Sequence, residues 1–168
     1  MNNNLIKLNE AEQRLCKFLA KQRFANARNK KIKNSKIGKQ SDEFTDLNGI
    51  GGEMSFCKKF NCYPDLEIAA WSSHEDNGDV IYKGKKIDVK TTKYSTGRLL
   101  VVTWKKETVD YYALIVGEFP DYEFKSHKET INKNNIKDLG YGETYAVEQN
   151  NLDKDIRPTK KELQIATN

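Results

Sequence analysis

The sequence predicts an α+β or mixed α/β sandwich, a single domain spanning residues 1–168 in which two helices precede a run of β-strands. Three observations lead there. Apolar residues recur at helical spacing twice in the first sixty positions, strand-like runs fill 79–125, and the chain carries no internal repeat or low-complexity tract. A chain of 168 residues that is 37% hydrophobic has the material for a real core, despite a mean hydropathy of −0.82 and 32% charged residues.

Asn9 with Glu12 three residues on forms a capping box, and Leu8, Ala11, Leu15 and Leu19 repeat at helical spacing, predicting a helix from about residue 9 to the late twenties. NKKIKNSKIGK breaks that pattern, and Ser41 caps a second helix along Phe44, Leu47, Ile50, Met54 and Cys57. Glycines 49, 51 and 52 each cost that helix roughly 1 kcal/mol against alanine, so close approach to a sheet, a ligand or another backbone is expected to compensate. Asn61 to Asp65, with Pro64, ends the element. Strands follow at Asp79–Tyr82, Lys85–Thr92, Leu99–Lys105, Tyr111–Gly117 and Tyr122–Lys125. A short helix is expected over 128–136, a strand at GETYAVEQ, and a last short helix at PTKKELQIA.

No apolar run reaches the roughly 18 residues that cross a bilayer, and MNNNLIKLNEAEQRL lacks the pattern of a signal peptide, so a soluble intracellular, cytoplasmic protein with no membrane partner is expected. Cys16, Cys57 and Cys62, with only His74 and His127 beside them, show no zinc-ligand spacing and read as reduced, mostly buried thiols. The net charge of +5 is uneven: Arg14 to Gln40 holds ten Lys/Arg and no Asp/Glu, so the helical segment of about 9–40 is basic and favours a polyanionic partner.

NGDVIYKGKKIDVKTT reads as a tight hairpin containing two acids. With Lys83-Gly84 as the turn, Tyr82 faces Lys85, Ile81 faces Lys86, Val80 faces Ile87 and Asp79 faces Asp88; with Gly84-Lys85 as the turn, Asp79 faces Lys90 instead and Asp88 is its diagonal neighbour. Opposed like charges cost a sheet up to about 1 kcal/mol, and more where water is excluded, which a bound cation or a shared proton removes. Alternation sets Asp88 and Lys90 on one face and Ile87, Val89 and Thr91 on the other. Oxygen ligands suit a hard cation, Mg²⁺ or Mn²⁺, able to polarise a phosphodiester. Glu53 lies between Ile50 and Cys57, beside the apolar stripe of its helix.

Asp79, eight residues, then Asp88-Val89-Lys90, preceded by a helix carrying Glu53, resembles the core of the PD-(D/E)xK nucleases. GIGGEMSFCKKF, YPDL, GDV, KIDVKTT and RLLVV resemble its small phage and prophage members in order and spacing over about residues 44–117. The resemblance implies a restriction-endonuclease-like core, a central mixed β-sheet flanked by helices, and cleavage of nucleic acid, with DNA the expected substrate. It implies further that Asp79, Asp88 and the Val89 backbone carbonyl hold the metal, that Glu53 reaches it directly or through water, and that Lys90 is the catalytic lysine. Gly78 stands where the proline of the family name would be, and no glutamine-and-tyrosine motif of processive exonucleases follows. His74, Glu75 and Asp76 lie close enough in sequence to add to the site, and Lys30, Lys31, Lys33, Lys58, Lys59, Lys93 and Arg98 are the expected backbone contacts. Two other readings share the fold: a non-catalytic phage factor that binds nucleic acid or protein, and a Holliday-junction-resolving homodimer.

Overall fold

The computed structural model describes residues 5–31, 39–68, 78–103, 109–128, 136–138 and 143–152. Strand β1 (Leu5–Lys7) leads into helix α1 (Glu10–Asn29) and helix α2 (Asp42–Phe60). The hairpin β2 (Val80–Tyr82) and β3 (Lys85–Thr92), then β4 (Leu99–Val102), β5 (Tyr111–Glu118), β6 (Asp121–Lys128), β7 (Ile136–Asp138) and β8 (Glu143–Val147), follow. Both predicted N-caps are present. Asn9 and Glu12 exchange side-chain and main-chain hydrogen bonds, and Ser41 Oγ accepts the Phe44 N–H, each satisfying donors that a helix start leaves open. Helix α2 stops at Asn61, whose left-handed φ of 50° closes the last turn, with the Cys62 N–H donating to the Cys57 carbonyl.

Among the described residues the strands form two sheets. The larger runs β1-β6-β5-β3-β2, with β3 and β5 parallel and its other neighbours antiparallel; the smaller runs β4-β8-β7. Helix α2 lies on one face of the larger sheet and α1 packs on α2, so that Cys16, Leu19, Ile50, Met54 and Phe56 meet Ile87, Val89, Ala113, Ile115 and Phe124. The opposite face is covered by the smaller sheet, where Leu99, Val101, Tyr145 and Val147 pack on Tyr112, Leu114 and Val116. Strand β5 is covered on both sides, which is why YYALIV is buried throughout instead of alternating. Three layers result: helices, mixed sheet, second sheet.

The expected compensation for the helix glycines is present at two of the three. A Cβ on Gly52 would stand 1.9 Å from Thr91 Oγ1 in β3, and one on Gly51 would stand 2.0 Å from the Tyr122 hydroxyl, so α2 sits on the sheet at a distance only glycine permits. A Cβ on Gly49 would meet nothing within 4 Å. The N-terminal stripe differs from the predicted one. Cys16, Leu19 and Ala20 are buried while Ala11 and Leu15 are exposed, because α1 faces α2 and not the sheet. The predicted strand at 99–105 ends at Val102, with 104–108 outside the described residues, as are most of the expected helix at 128–136 and all of that at PTKKELQIA; Lys128 and Ile136 end and begin strands. The short strands β1 and β7 carried no period long enough to predict.

Asn48 ties α2 to the β5–β6 turn. Its Nδ2 donates to the Gly117 carbonyl at 3.3 Å, its Oδ1 accepts the Phe119 N–H at 3.0 Å, and the Tyr122 hydroxyl donates to that same Oδ1 at 3.1 Å. Asn48→Ala strands these partners, the buried Tyr122 hydroxyl among them, and urea denaturation should show a loss of about 2 kcal/mol without a change in m-value. No helix among the described residues is long and apolar enough to cross a membrane.

Candidate active site

The hairpin turns at Lys83-Gly84, whose φ values of 50° and 74° are the paired left-handed conformations of a two-residue turn matched to strand twist. Val80, Ile81 and Tyr82 therefore face Ile87, Lys86 and Lys85, the first of the two predicted registers. The ladder then stops one step short of the acids. Gly78 has φ 79°, a conformation proline cannot adopt, and a Cβ there would stand 3.0 Å from the Ile87 carbonyl, which accounts for glycine at the position before Asp79. This bend moves the Asp79 main chain off the regular register, its N–H donating to the Ile87 carbonyl at 2.8 Å.

Asp79 and Asp88 therefore do not simply face each other as ladder partners. The Asp79 carboxylate reaches β3 at its open edge, where Oδ2 accepts the Val89 N–H at 2.6 Å in place of a partner strand. A residue in a strand presents its N–H and C=O to the same edge, so the Val89 carbonyl is directed to the Asp79 side as well. Asp88 and Lys90 share the other face of β3, beside Tyr112 and Leu114, and the Lys90 ammonium donates to Asp88 Oδ1. Asp88 is buried at 5% exposure. Glu53 enters from α2, one position after Gly52, where the helix touches β3.

The four residues Glu53, Asp79, Asp88 and Lys90 come from three separate elements and lie close enough to feel one another's charge. Burial pushes the Asp79 carboxyl well above its ordinary range, and the Glu53 and Asp88 carboxylates add to this, against Lys90 and the Val89 N–H. Glu53 is pushed up by burial and by Asp88, with Arg23 and Lys90 opposing. With all three acids ionised the cluster would carry one negative charge more than Arg23 and Lys90 offset, so it favours an added proton or cation.

Carboxylate and carbonyl oxygens are the donor set a hard divalent cation takes. Glu53 is engaged with Arg23, Asp79 with the Val89 N–H and Asp88 with Lys90, and among the described residues no three His, Cys, Asp or Glu side chains already form a metal-holding group. Rotation of Lys90 away from Asp88 would free oxygens for a cation. The nearby Cys16 thiol is raised to about 12 by burial first and then by Glu53 and Glu12, which keeps it protonated.

The predicted backbone contacts divide. Lys58 donates to Glu12 at 2.8 Å and to the Lys7 carbonyl at 2.9 Å, joining α2 to α1 and β1, and Arg98 pairs with Glu148 at 2.5 Å. Lys59 lies over Phe124. The Arg28–Asp42 pair at 2.9 Å brings the end of α1 to the start of α2, and Lys93 stands over Phe44 in the first turn of α2 at 5.9 Å, so Lys30, Lys31 and Lys93 belong to one end of the helix pair. Lys33, His74, Glu75 and Asp76 lie outside the described residues.

Arg23 was missed. Its guanidinium meets Glu53 inside the molecule, with the two side chains 21% and 13% exposed. The signal was available in the buried stripe itself: Arg23 is seven residues after Cys16, hence on the same face of α1 as Cys16, Leu19 and Ala20. Set against protein-family models, curated proteins and solved structures, the chain matches none.

Proposed function

We propose that the protein is a metal-dependent nuclease with a restriction-endonuclease-like centre, hydrolysing phosphodiester bonds of DNA. The observation that carries this reading is that Glu53 of α2, Asp79 ahead of β2, and Asp88 and Lys90 of β3 gather about the open edge of β3 within reach of one another's charge. Buried acids in such a cluster are costly unless something offsets them, and functional sites are where such costs are kept. Asp79 and Asp88 would hold Mg²⁺ or Mn²⁺ together with the Val89 carbonyl, with Glu53 completing the set directly or through water. A divalent cation bound there would supply Lewis-acid activation of the phosphodiester and a more acidic water. The Lys90 ammonium, released from Asp88, offers positive charge and a proton donor to phosphate oxygens as charge grows on them. Lys30, Lys31 and Lys93 would hold the backbone beyond the site.

A second reading is a nucleic-acid-binding protein without catalysis, favoured by one observation: Asp88–Lys90 and Glu53–Arg23 are already neutralising pairs. One experiment separates the two. Plasmid, linear, single-stranded and branched DNA and RNA are incubated with Mg²⁺, Mn²⁺ or EDTA, beside Asp88→Ala and Lys90→Ala. The nuclease reading expects metal-dependent cleavage that each substitution lowers by about 10²-fold or more. Cleavage unchanged in both variants would remove this site from consideration, and binding without cleavage on every substrate would establish the second reading.

A further inference from the structure

We propose that Arg23 is a positioning residue for this centre, a role that rests on the nuclease reading above. Its guanidinium donates to three acceptors on two other parts of the chain: Nη1 to Glu53 Oε2 at 3.0 Å, Nε to the Glu67 carbonyl at 2.9 Å and Nη2 to the Asp65 carbonyl at 2.9 Å. About one turn further along α1, Asn26 Nδ2 donates to the Ile68 carbonyl at 2.6 Å, so a single face of the helix grips residues 65–68. The gripped segment is the one that meets Asp79. The Asp65 N–H donates to the Asp79 carbonyl at 3.4 Å, and Pro64 forms an antiparallel bridge with Val80. Arg23 therefore holds one acid of the cluster by its carboxylate and bears on the main chain of a second through two carbonyls.

Only a planar fork reaches acceptors in three directions at once; a lysine ammonium carries the same charge on a flexible stem and cannot reproduce the pattern. Stability alone is a weak account of the pair, because a buried ion pair contributes little more than apolar side chains of the same volume would. The pose it imposes on Glu53 and on the 65–68 segment is the better account. Groups that orient metal ligands from behind commonly matter about as much as this, at 10- to 100-fold in affinity or activity.

The test compares Arg23→Lys and Arg23→Gln with wild type in thermal melts, calorimetric titration with Mn²⁺, and steady-state cleavage of the substrate the wild type cuts. A positioning role expects both variants to fold, to lose about tenfold or more in kcat with KM for DNA little changed, and to bind Mn²⁺ several-fold more weakly. Combining Glu53→Gln with Arg23→Lys should then cost less than the sum of the two single losses, because part of the Arg23 effect runs through Glu53. If Arg23→Lys restores wild-type kcat and Mn²⁺ affinity, charge alone matters and the proposal is overturned. It is overturned equally if only the melting temperature falls. Should neither Arg23 variant fold, Asn26→Ala, which removes only the bond to Ile68, carries the test: a several-fold loss of kcat supports the proposal, and an unchanged kcat overturns it. Wild-type protein that neither binds Mn²⁺ nor cuts refutes the nuclease reading and this role with it, whereas a cutting wild type matched by Arg23→Lys refutes the positioning role alone.

Discussion

Gly52→Ala is expected to cost about 3 kcal/mol of stability, while Gly49→Ala, one turn earlier in the same helix, is expected to add about 1 kcal/mol. Removing a glycine from a helix ordinarily helps, since alanine loses less backbone freedom on folding. Gly49 meets that ordinary case, because its Cβ would enter open space. At Gly52 the added carbon would stand 1.9 Å from Thr91 Oγ1 and 3.1 Å from Thr91 Cβ and Cγ2, so α2 and β3 must separate. Separation opens the core on both sides of the contact, where Ile50 and Met54 pack with Ile87 and Val89, and it displaces Glu53 from the site. Urea midpoints for both variants measure the contrast. Thr91→Ala supplies the control: its Oγ1 is buried without a hydrogen-bond partner among the described residues, so its loss is cheap, and combining it with Gly52→Ala should recover most of the deficit. Equal destabilisation by Gly49→Ala and Gly52→Ala would show that helix propensity, not contact with β3, decides.

Asp79→Asn should divide activity from stability, lowering cleavage by about 10²- to 10³-fold while making the metal-free fold more stable at neutral pH. The sign follows from linkage. Burial, with Glu53 and Asp88, places the folded-state pKa of Asp79 well above its ordinary value of 3.8, so over the interval between the two the folded chain holds a proton that the unfolded chain has released. The Asp79 contribution to stability is therefore fully present below about 3.8, declines as pH rises through that interval, and levels off once Asp79 has ionised in the fold. Asparagine keeps an oxygen for the Val89 N–H but carries no charge, so most of the decline should vanish; Glu53, raised in the same direction, accounts for the remainder. Mn²⁺ at a hundredfold above its Kd should stabilise the wild type by about 2–3 kcal/mol at neutral pH and the variant much less. Melting temperatures across pH, with Mn²⁺ or EDTA, read all of these effects. A wild-type stability that rises with pH over this range would contradict the buried-acid account.

Much of the local structure was legible because it is set by neighbours in the chain. Asn9, Ser41 and Asn61 bound the helices through hydrogen bonds and a left-handed residue within a few positions of each end. Alternation alone put Asp88 and Lys90 on one face, and the sequence narrowed the hairpin to two turns, of which the fold takes Lys83-Gly84. The resemblance singled out Glu53, Asp79, Asp88 and Lys90, and the fold sets these groups within reach of one another's charge. The bend at Gly78 was not legible, since it depends on how near the Ile87 carbonyl lies, and it is what turns opposed acids into a carboxylate resting on the Val89 N–H.

The sequence by itself determined where each helix begins and which residues share a face of β3, because capping and strand alternation act over a few residues. Only the tertiary structure decided that β5 lies parallel to β3, that β4 leaves to form a second sheet with β8, and that Arg23 reaches Glu53. Those pairings join residues 24 to 48 positions apart, and what selects them is the apolar surface that the whole chain buries together.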